Sequence, residues 1–415
     1  MTKARRTTPS QRPVSPSDAA CIRGMTQRRF SRRDFLRYTG TGAAGLGAAW
    51  ALAACGTSAE SLPTVLTSMP PTAGKVNVAN WIAYIDSTTP DPGTVLAKFQ
   101  DTGEQISYKE DIGDNDEFFG TDLRQQLSDG QPTGWDIVTM TDWMIAKLIS
   151  LGWVVELDKS LVPNCVKNLD PKWQDVYFDP GRKYSYPWAA GITGIGYNRD
   201  LVGRDITSIN ELFSDEFKGK VGMFKEVRDS VNFALLADGV KPDQATQDQI
   251  DAAFTKLEQQ RDAGIVRAYY GNDYLDVFSN GDLAVTMAWS GDINALEDPN
   301  LKFIVPTEGG NRWSDNMVIP ALAEHPADAH AWMNFVYDVS IATQITEYVW
   351  YESPVAGVHE QVQADAQEDP SLDAIANSDV VWPTPEVEAS TYGYINLDEQ
   401  AEKQWHDRWD PLILG

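Results

Sequence analysis

The side chains that could do chemistry in this sequence are aromatic and acidic residues, most of which flank the ends of expected strands. They are Trp81, Tyr84, Glu226, Asp229, Trp289, Trp313 and Asp315. In α/β proteins, ligands bind at the carboxyl edges of the strands, where such residues would gather. An aromatic face attracts an ammonium group by ~0.5–2 kcal/mol, and a desolvated carboxylate adds a charge-assisted hydrogen bond of ~1.5–3 kcal/mol. This combination predicts a site for a cation.

Each of these residues also has an ordinary structural interpretation. The chain contains 14 tryptophans, and any one of them is more often a core or surface residue than a ligand contact. Glu226 and Asp229, three positions apart, could form the acidic first turn of a solvated helix. A hydrolase with paired carboxylates is a further alternative, although neither a Gly-x-Ser-x-Gly nor a His-Glu-x-x-His pattern occurs. The candidate residues therefore support a cation site only when they are considered as a group.

The elements that must position these residues alternate between strands and helices. Apolar periodicity predicts strands at residues 76–81, 105–108, 135–138, 191–197 and 219–223, and helices at 93–99, 116–127, 142–150, 249–262 and 329–339. The glycine-broken segment 191–197 is typical of a strand that passes between lobes. Alternation and length together predict an α/β fold with two lobes and a ligand cleft between them.

Charge and composition exclude two broad classes. The 415 residues include 60 acidic and 34 basic side chains, which gives a formal net charge of -26. This charge repels nucleic-acid phosphates and anionic lipid headgroups, and 10% aromatic residues is too many for a disordered polymer. We therefore expect a folded protein with a cationic or neutral ligand and no nucleic-acid partner.

Metal and cofactor sites have little support in the sequence. The histidines are His325, His330, His359 and His406, and the cysteines are Cys21, Cys55 and Cys165. Their spacing matches no zinc or iron site, so we expect neither a metal nor a cofactor. We interpret Cys165 as a small, half-buried apolar side chain in a loop or helix start rather than as a nucleophile.

Residues 1–54 are typical of an export signal. They contain ten Lys or Arg residues, and their apolar run is shorter than the ~20 residues of a transmembrane helix, which is the weaker interpretation. Residues 31–37 resemble a twin-arginine motif. Residues 52–55, Leu-Ala-Ala-Cys, resemble a lipobox, which implies cleavage before Cys55 and a lipid on its sulfur. Residues 55–74 are rich in Ser, Thr, Pro and Gly and are expected to form a flexible tether.

Residues 75–355 resemble the bacterial periplasmic spermidine/putrescine-binding proteins, the receptor components of polyamine ABC importers. The most specific motifs are Asn80-Trp81-x-x-Tyr84, Phe178-Asp179-Pro180, Glu226-x-Arg228-Asp229, Trp289-x-Gly291 and Trp313-x-Asp315. The resemblance implies a two-lobed fold that closes around an extended polyamine. It implies aromatic contacts with the ligand at Trp81, Tyr84, Trp289, Trp313 and Tyr351. It implies carboxylate contacts with the amines at Glu226, Asp229 and Asp315.

Two departures from the family pattern concern the ligand. After the strand at 135–138, the family commonly has a serine and a tyrosine, whereas this chain has Met140 and Asp142. Asp142 either adds a carboxylate to the ligand site or caps the helix that follows it. In the first case a tri- or tetra-amine would bind better than putrescine, because each unmatched buried carboxylate costs desolvation energy. The glutamine that the family uses near the C-terminus has no counterpart at residues 392–396.

We therefore expect a non-catalytic, monomeric receptor on the extracytoplasmic side, anchored by lipid at Cys55. It would bind spermidine and/or putrescine and deliver it to the permease subunits of an ABC importer. The first lobe would comprise residues 75–190 and 314–359, and the second lobe residues 191–313 and 360–415. One alternative is a receptor for another cationic amine or an opine-like solute. A less favoured alternative is an extracytoplasmic hydrolase.

Overall fold

The computed structural model describes residues 62, 64–66, 68–296 and 298–414. The expected export signal and Cys55 lie outside these residues. The strands are β1 (Lys75–Trp81), β2 (Gln105–Ile112), β3 (Ile137–Thr141), β4 (Asp175–Val176), β5 (Asp179–Pro180), β6 (Ser185–Asn198), β7 (Val221–Phe224), β8 (Val266–Tyr270), β9 (Val285–Trp289), β10 (Leu301–Ile304), β11 (Gly310–Val318) and β12 (Thr391–Tyr392).

Helices connect most of these strands. The α-helices are Val95–Gln100, Asn115–Phe118, Arg124–Ser128, Asp142–Ser150, Pro163–Asn168, Arg199–Val202, Val227–Ala237, Gln247–Asp262, Tyr274–Ser279, Ser290–Ala295, Pro326–Val336, Val339–Val349, Val358–Glu368, Asp373–Ala376, Pro385–Ala389 and Glu399–Leu414. A π-helical turn, Phe119–Leu123, interrupts the helix expected over 116–127, but its apolar face remains buried. In the described part of the chain, no helix is long and apolar enough to cross a bilayer.

The main sheet runs in the order β2-β1-β3-β11-β6-β9-β7-β8. Strands β1, β2 and β3 are parallel to one another, as are β7, β8 and β9. Between these two parallel groups lie β6 and β11, which pair with each other in antiparallel orientation. Strand β10 adds to β6, and β12 adds to β11. The two parallel groups are thus joined through one central pair of long strands.

Two separate hydrophobic cores divide this sheet into lobes. The first core is built from buried residues within 76–190 and 313–381, and the second from residues within 195–301 and 405–412. Strand β6 contributes Tyr186 and Trp188 to the first core and Ile195 and Tyr197 to the second. The expected crossing between lobes therefore occurs within residues 191–194 of β6.

Gly191 permits a close approach of aromatic rings at this crossing. A Cβ atom placed on Gly191 would lie 2.6 Å from the Trp313 ring and 2.9 Å from the Tyr351 ring. These distances are shorter than any van der Waals contact, so only glycine lets both rings occupy this position. The glycine-broken pattern of the strand thus reflects a packing requirement between the lobes.

The lobe bounds expected from the sequence remain a prediction, and one segment favours a change. The helix Val358–Glu368 buries Val358, Val362 and Ala366 in the first core, although we assigned residues from 360 onward to the second lobe. Since a helix belongs to the core that receives its apolar face, this packing favours placing 360–381 in the first lobe.

The described part of the expected tether contacts the first lobe. Leu62 and Leu66 pack against the first core. The backbone N–H groups of Ala73 and Gly74 donate hydrogen bonds to the carboxylate of Asp328 over 2.9 and 2.8 Å. These contacts hold part of the segment on the surface of the fold.

Candidate functional site

A cavity that opens to solvent lies between the two lobes at the carboxyl ends of several strands, and its empty space of about 430 Å³ includes part of that solvent. Its lining residues are Trp81, Ile82, Tyr84, Thr141, Glu226, Asp229, Asn272, Trp289, Asp292, Trp313, Asp315, Tyr351 and Tyr394. The structure therefore brings together eight of the nine positions expected from the sequence: Trp81, Tyr84, Glu226, Asp229, Trp289, Trp313, Asp315 and Tyr351. Asp142 is the ninth, and it is not among the lining residues.

The first lobe supplies a buried carboxylate that two hydroxyl groups hold in place. Asp315 lies on β11, next to β3. Its Oδ2 accepts a hydrogen bond from the Tyr84 hydroxyl over 2.8 Å, and its Oδ1 accepts one from Thr141 Oγ1 over 2.8 Å. Burial raises the pKa of Asp315 to about 7, although both hydrogen bonds favour the ionised form. The carboxylate is therefore well oriented, and no cationic side chain in the described part of the chain pairs with it.

The second lobe supplies two carboxylates at the start of the helix Val227–Ala237. Glu226 precedes this helix, and its Oε1 accepts hydrogen bonds from the backbone N–H and the side-chain amide of Asn115, over 3.2 and 2.9 Å. Asp229 accepts from the amide of Asn311 and from the hydroxyl of Tyr394, each over 2.9 Å. Neutral donors thus fix both groups, and one of those donors, Asn115, comes from the first lobe.

A fourth carboxylate, Asp292, was not expected from the sequence. It lies in the first turn of the helix Ser290–Ala295, directly after β9. Its two oxygens accept hydrogen bonds from the hydroxyls of Tyr351, over 2.6 Å, and Tyr274, over 3.0 Å. The strand-end rule that selected Glu226 and Asp229 applies equally to Asp292, so the signal was present in the sequence. Tyr394 follows no regular strand, and the one signal near it is the family resemblance, which has a C-terminal ligand contact in the segment 392–396.

Aromatic rings line the space between these carboxylates. The Tyr351 ring centroid lies 5.5 Å from that of Tyr84 and 5.3 Å from that of Trp313. Trp289 packs with its ring centroid 4.4 Å from that of Phe224, which fixes it at the second-lobe side. Such rings pack well against methylene groups and present a negative face to ammonium groups.

The electrostatic state of the cavity favours a cationic ligand. Burial raises the pKa of Asp292 to about 6. Burial, followed by repulsion from Asp114 and Asp229, raises the pKa of Glu226 well above its ordinary value, and burial also raises that of Asp229. Among the described residues, no Lys, Arg or His side chain forms an ion pair with Glu226, Asp229, Asp292 or Asp315. A bound cation would supply the missing charge.

Asp142 lies outside the cavity lining, at the first turn of the helix Asp142–Ser150. Its Oδ1 accepts a hydrogen bond from the adjacent Trp143 N–H over 2.7 Å. Burial, and to a smaller extent repulsion from Asp315, raises its pKa to about 7. Its position favours a role at the helix start over direct contact with a ligand.

Outside the cavity, Asp116, Glu402 and His406 each place a potential metal-ligand atom within 4.8 Å of the others. Glu402 is already paired with Lys147 over 2.9 Å and with Arg228 over 3.0 Å. The hydrogen bond and charge of Asp116 raise the pKa of His406 to about 9, which favours the protonated imidazole that pairs with Asp116. This cluster is an ion-pair network.

Cys165 does not resemble a nucleophile in the structure. It is fully buried in the first core, within the helix Pro163–Asn168, and burial raises the pKa of its thiol. The interpretation of an apolar side chain at a helix start fits this position, although the side chain is more deeply buried than expected.

Comparison with known proteins matches this architecture. Residues 115–374 match the family described as bacterial extracellular solute-binding protein. The spermidine/putrescine-binding periplasmic protein 1 of Haemophilus influenzae is 28% identical over 246 residues, 59% of this chain and 68% of that protein. The putrescine-binding periplasmic protein SpuD of Pseudomonas aeruginosa is 28% identical over 365 residues, 82% of this chain and 92% of that protein.

A solved structure of a substrate-binding protein has a similar fold. The spermidine/putrescine ABC transporter substrate-binding protein PotD of Streptococcus pneumoniae is 25% identical, with a TM-score of 0.65 over 82% of this chain and 98% of that one. Together with the two cores, this likeness confirms the two-lobed α/β fold expected from the sequence.

Proposed function

The chain belongs to the bacterial extracellular solute-binding protein family, and on that premise we propose that it captures a polyamine and delivers it to an ABC importer. Membership of a solute-binding family confirms that the chain is a binding protein and not an enzyme. The relatives described as spermidine/putrescine-binding and putrescine-binding proteins support a polyamine as the solute.

The observation that carries this proposal is a set of four carboxylates that form no ion pair with any described Lys, Arg or His side chain. Glu226, Asp229, Asp292 and Asp315 line one aromatic cavity, and each is held by neutral donors. A polyamine supplies several ammonium groups spaced along apolar methylenes, which fit carboxylates and rings respectively. Four carboxylates exceed the two charges of a diamine, so spermidine should bind more tightly than putrescine.

The proposed location is the extracytoplasmic side of the membrane, with a lipid anchor at Cys55. The lipobox-like residues 52–55 support this anchor. The variant Cys55→Ser should be released from membranes or remain unprocessed, because only the cysteine sulfur can accept the lipid. Unchanged fractionation and an unchanged mass for the mature variant would contradict lipid anchoring and leave the ligand proposal intact.

A thermal-shift panel tests the proposed ligand. Putrescine, spermidine and spermine are compared with butylamine and with 1,8-octanediol, which has a methylene chain but no charge. A ligand that binds only the folded protein adds ~2.7 kcal/mol of stability at 100 times its Kd. We expect stabilisation by the polyamines and none by the diol. Stabilisation by an unrelated cationic or opine-like solute alone would replace the polyamine proposal with a different receptor specificity.

Mass spectrometry of the recovered ligand separates binding from turnover. A receptor returns spermidine with its mass unchanged after prolonged incubation, whereas a hydrolase would yield a product. The same sample should contain protein and amine in a one-to-one ratio.

A further inference from the structure

The C-terminal helix Glu399–Leu414 belongs to the second lobe but faces both lobes. Trp405, Trp409 and Leu412 lie on its buried face and contribute to the second core. Glu402 and His406, one turn apart, instead contact side chains of the first lobe. The helix therefore joins the two lobes along a surface that is separate from the cavity lining.

Glu402 makes a bidentate connection between the lobes. Its Oε2 pairs with Lys147 Nζ over 2.9 Å, and Lys147 lies on the first-lobe helix Asp142–Ser150. Its Oε1 pairs with Arg228 Nη2 over 3.0 Å, and Arg228 lies on the second-lobe helix Val227–Ala237. Glu402 and Arg228 are 13% and 4% exposed, so solvent screens this pair only weakly.

The two helices that Glu402 connects carry the walls of the cavity. Thr141, which donates a hydrogen bond to Asp315, immediately precedes the helix of Lys147. Arg228 lies at the start of the other helix, between Glu226, which precedes that helix, and Asp229 in its first turn. A change in the Glu402 contacts would therefore alter the separation between carboxylates of opposite lobes.

Arg228 itself depends on this arrangement. Its guanidinium carbon lies 3.7 Å from the centroid of the Trp143 ring, which belongs to the first lobe. Among the described residues, its Nε and Nη1 atoms are buried without a hydrogen-bond partner, and Glu402 is the carboxylate with which it forms an ion pair. One turn along the C-terminal helix, His406 Nε2 lies 3.4 Å from Asp116, the neighbour of the Asn115 that holds Glu226.

We propose that Glu402 is a positioning residue for ligand binding, which holds the two lobes together through Lys147 and Arg228 without touching the ligand. This inference rests on the proposed function for its ligand, but the separation of the lobes is measurable without one. Loss of the connection should speed ligand release, because release requires the walls of the cavity to separate.

The test compares Glu402→Gln and Lys147→Met with a matched control on the same helix. The control is Lys403→Met, which breaks the solvent-exposed Lys403–Asp407 pair one residue away. Stopped-flow tryptophan fluorescence with spermidine gives the dissociation rate. We expect an increase of about 10-fold for Glu402→Gln, which leaves a buried arginine unpaired, about 3-fold for Lys147→Met, and none for the control.

A double-mutant cycle and a scattering measurement distinguish positioning from simple stabilisation. If Glu402 acts through Lys147, the two substitutions together should increase the dissociation rate less than the product of their single effects. Small-angle X-ray scattering of the ligand-free variants should show a larger radius of gyration than the wild type. If Glu402→Gln does not fold, Lys147→Met still supplies both measurements, because Lys147 is 26% exposed and its loss leaves no buried charge unpaired.

The outcomes separate this inference from the proposed function. Wild-type dissociation rates in folded Glu402→Gln and Lys147→Met would overturn the positioning role while leaving polyamine binding intact. Lower unfolding stability with unchanged dissociation would also overturn it, since a purely structural residue behaves in that way. Failure of the wild type to bind spermidine would contradict the proposed ligand, and the radius of gyration would then decide the positioning role alone.

Discussion

Asp315→Asn is expected to stabilise the ligand-free protein and, at the same time, to weaken polyamine binding. Asp315 is 5% exposed, and burial raises its pKa from an ordinary 3.8 to about 7. The folded state therefore retains a proton that the unfolded state loses, and stability falls as the pH rises from about 4 to 7. Above this range the ionised carboxylate costs ~4 kcal/mol of folding free energy, which an amide of the same shape would not cost.

Asp315→Asn should have the opposite effect on ligand binding, which it weakens. Removal of a carboxylate that pairs with a buried ammonium typically costs ~2–4 kcal/mol, or roughly 30- to 1000-fold in Kd. We therefore expect the unfolding free energy of Asp315→Asn at pH 8 to exceed that of the wild type by up to ~4 kcal/mol. We expect its binding free energy for spermidine to be weaker by ~2–4 kcal/mol. At pH 6 both effects should shrink, because most Asp315 side chains are then protonated in the ligand-free protein.

Urea unfolding without ligand and calorimetry with spermidine, both at pH 6 and pH 8, measure these effects. Asp328→Asn is a matched control, since Asp328 is fully buried and accepts hydrogen bonds from two backbone N–H groups. It should lose stability and keep its affinity. The reasoning fails if Asp315→Asn is less stable than the wild type at pH 8 and binds spermidine normally. Asp315 would then serve only the hydrogen bonds of Tyr84 and Thr141.

Four further predictions concern the cavity. Trp313→Ala should weaken spermidine binding and reduce the ligand-induced change in tryptophan emission, and it should also lower stability, because the ring is buried in the first core. A stability loss of ~3–5 kcal/mol with normal spermidine affinity in the folded variant would identify a purely structural residue. Glu226→Gln should weaken binding by ~2–4 kcal/mol in calorimetry, whereas unchanged affinity would indicate a solvated group. Asp142→Asn should leave the ratio of spermidine to putrescine affinity unchanged. If the difference between the two binding free energies instead falls by ~1–3 kcal/mol, Asp142 binds a third amine. Spermidine binding should be tighter at pH 8 than at pH 6 and should release protons. The reason is that an ammonium group favours the ionised forms of Asp292 and Asp315, whose pKa values are about 6 and about 7. Equal affinity at the two pH values in calorimetry, without proton release, would contradict this linkage.

The sequence predicted much of the fold because local patterns determine its elements. The helix Asp142–Ser150 has the predicted bounds, and β1 and β2 begin at or next to the predicted residues. The helical segment expected over 116–127 ends within one residue of its predicted end, but its interruption by the π-helical turn Phe119–Leu123 could not be predicted, because that turn preserves the same buried face. Periodicity reports which face is apolar and says little about a local change in helical pitch.

The candidate site was predictable at positions near regular strands or within family motifs, and not where distant segments meet. Eight positions followed from the strand-end pattern and the family resemblance, and the structure places them around one cavity. Tyr394 reaches Asp229 from a segment 165 residues away, and no local pattern encodes that contact. Glu402 is similar, because its partners Lys147 and Arg228 lie on different lobes. Such placements depend on the tertiary fold.

The position of Arg228 shows how the fold keeps its own positive charge away from the cavity. Arg228 lies between Glu226 and Asp229 in the sequence, so it is the cation that could most easily neutralise them. In the structure it stacks on Trp143 and pairs with Glu402, outside the cavity lining. Because neutral donors hold Glu226 and Asp229 instead, their charge remains available to a ligand, and the cost of burying it appears in their raised pKa values. The Glu402 carboxylate thus has two roles. It pairs with Arg228 outside the cavity, and it connects the helix of Arg228 to Lys147 on the opposite lobe.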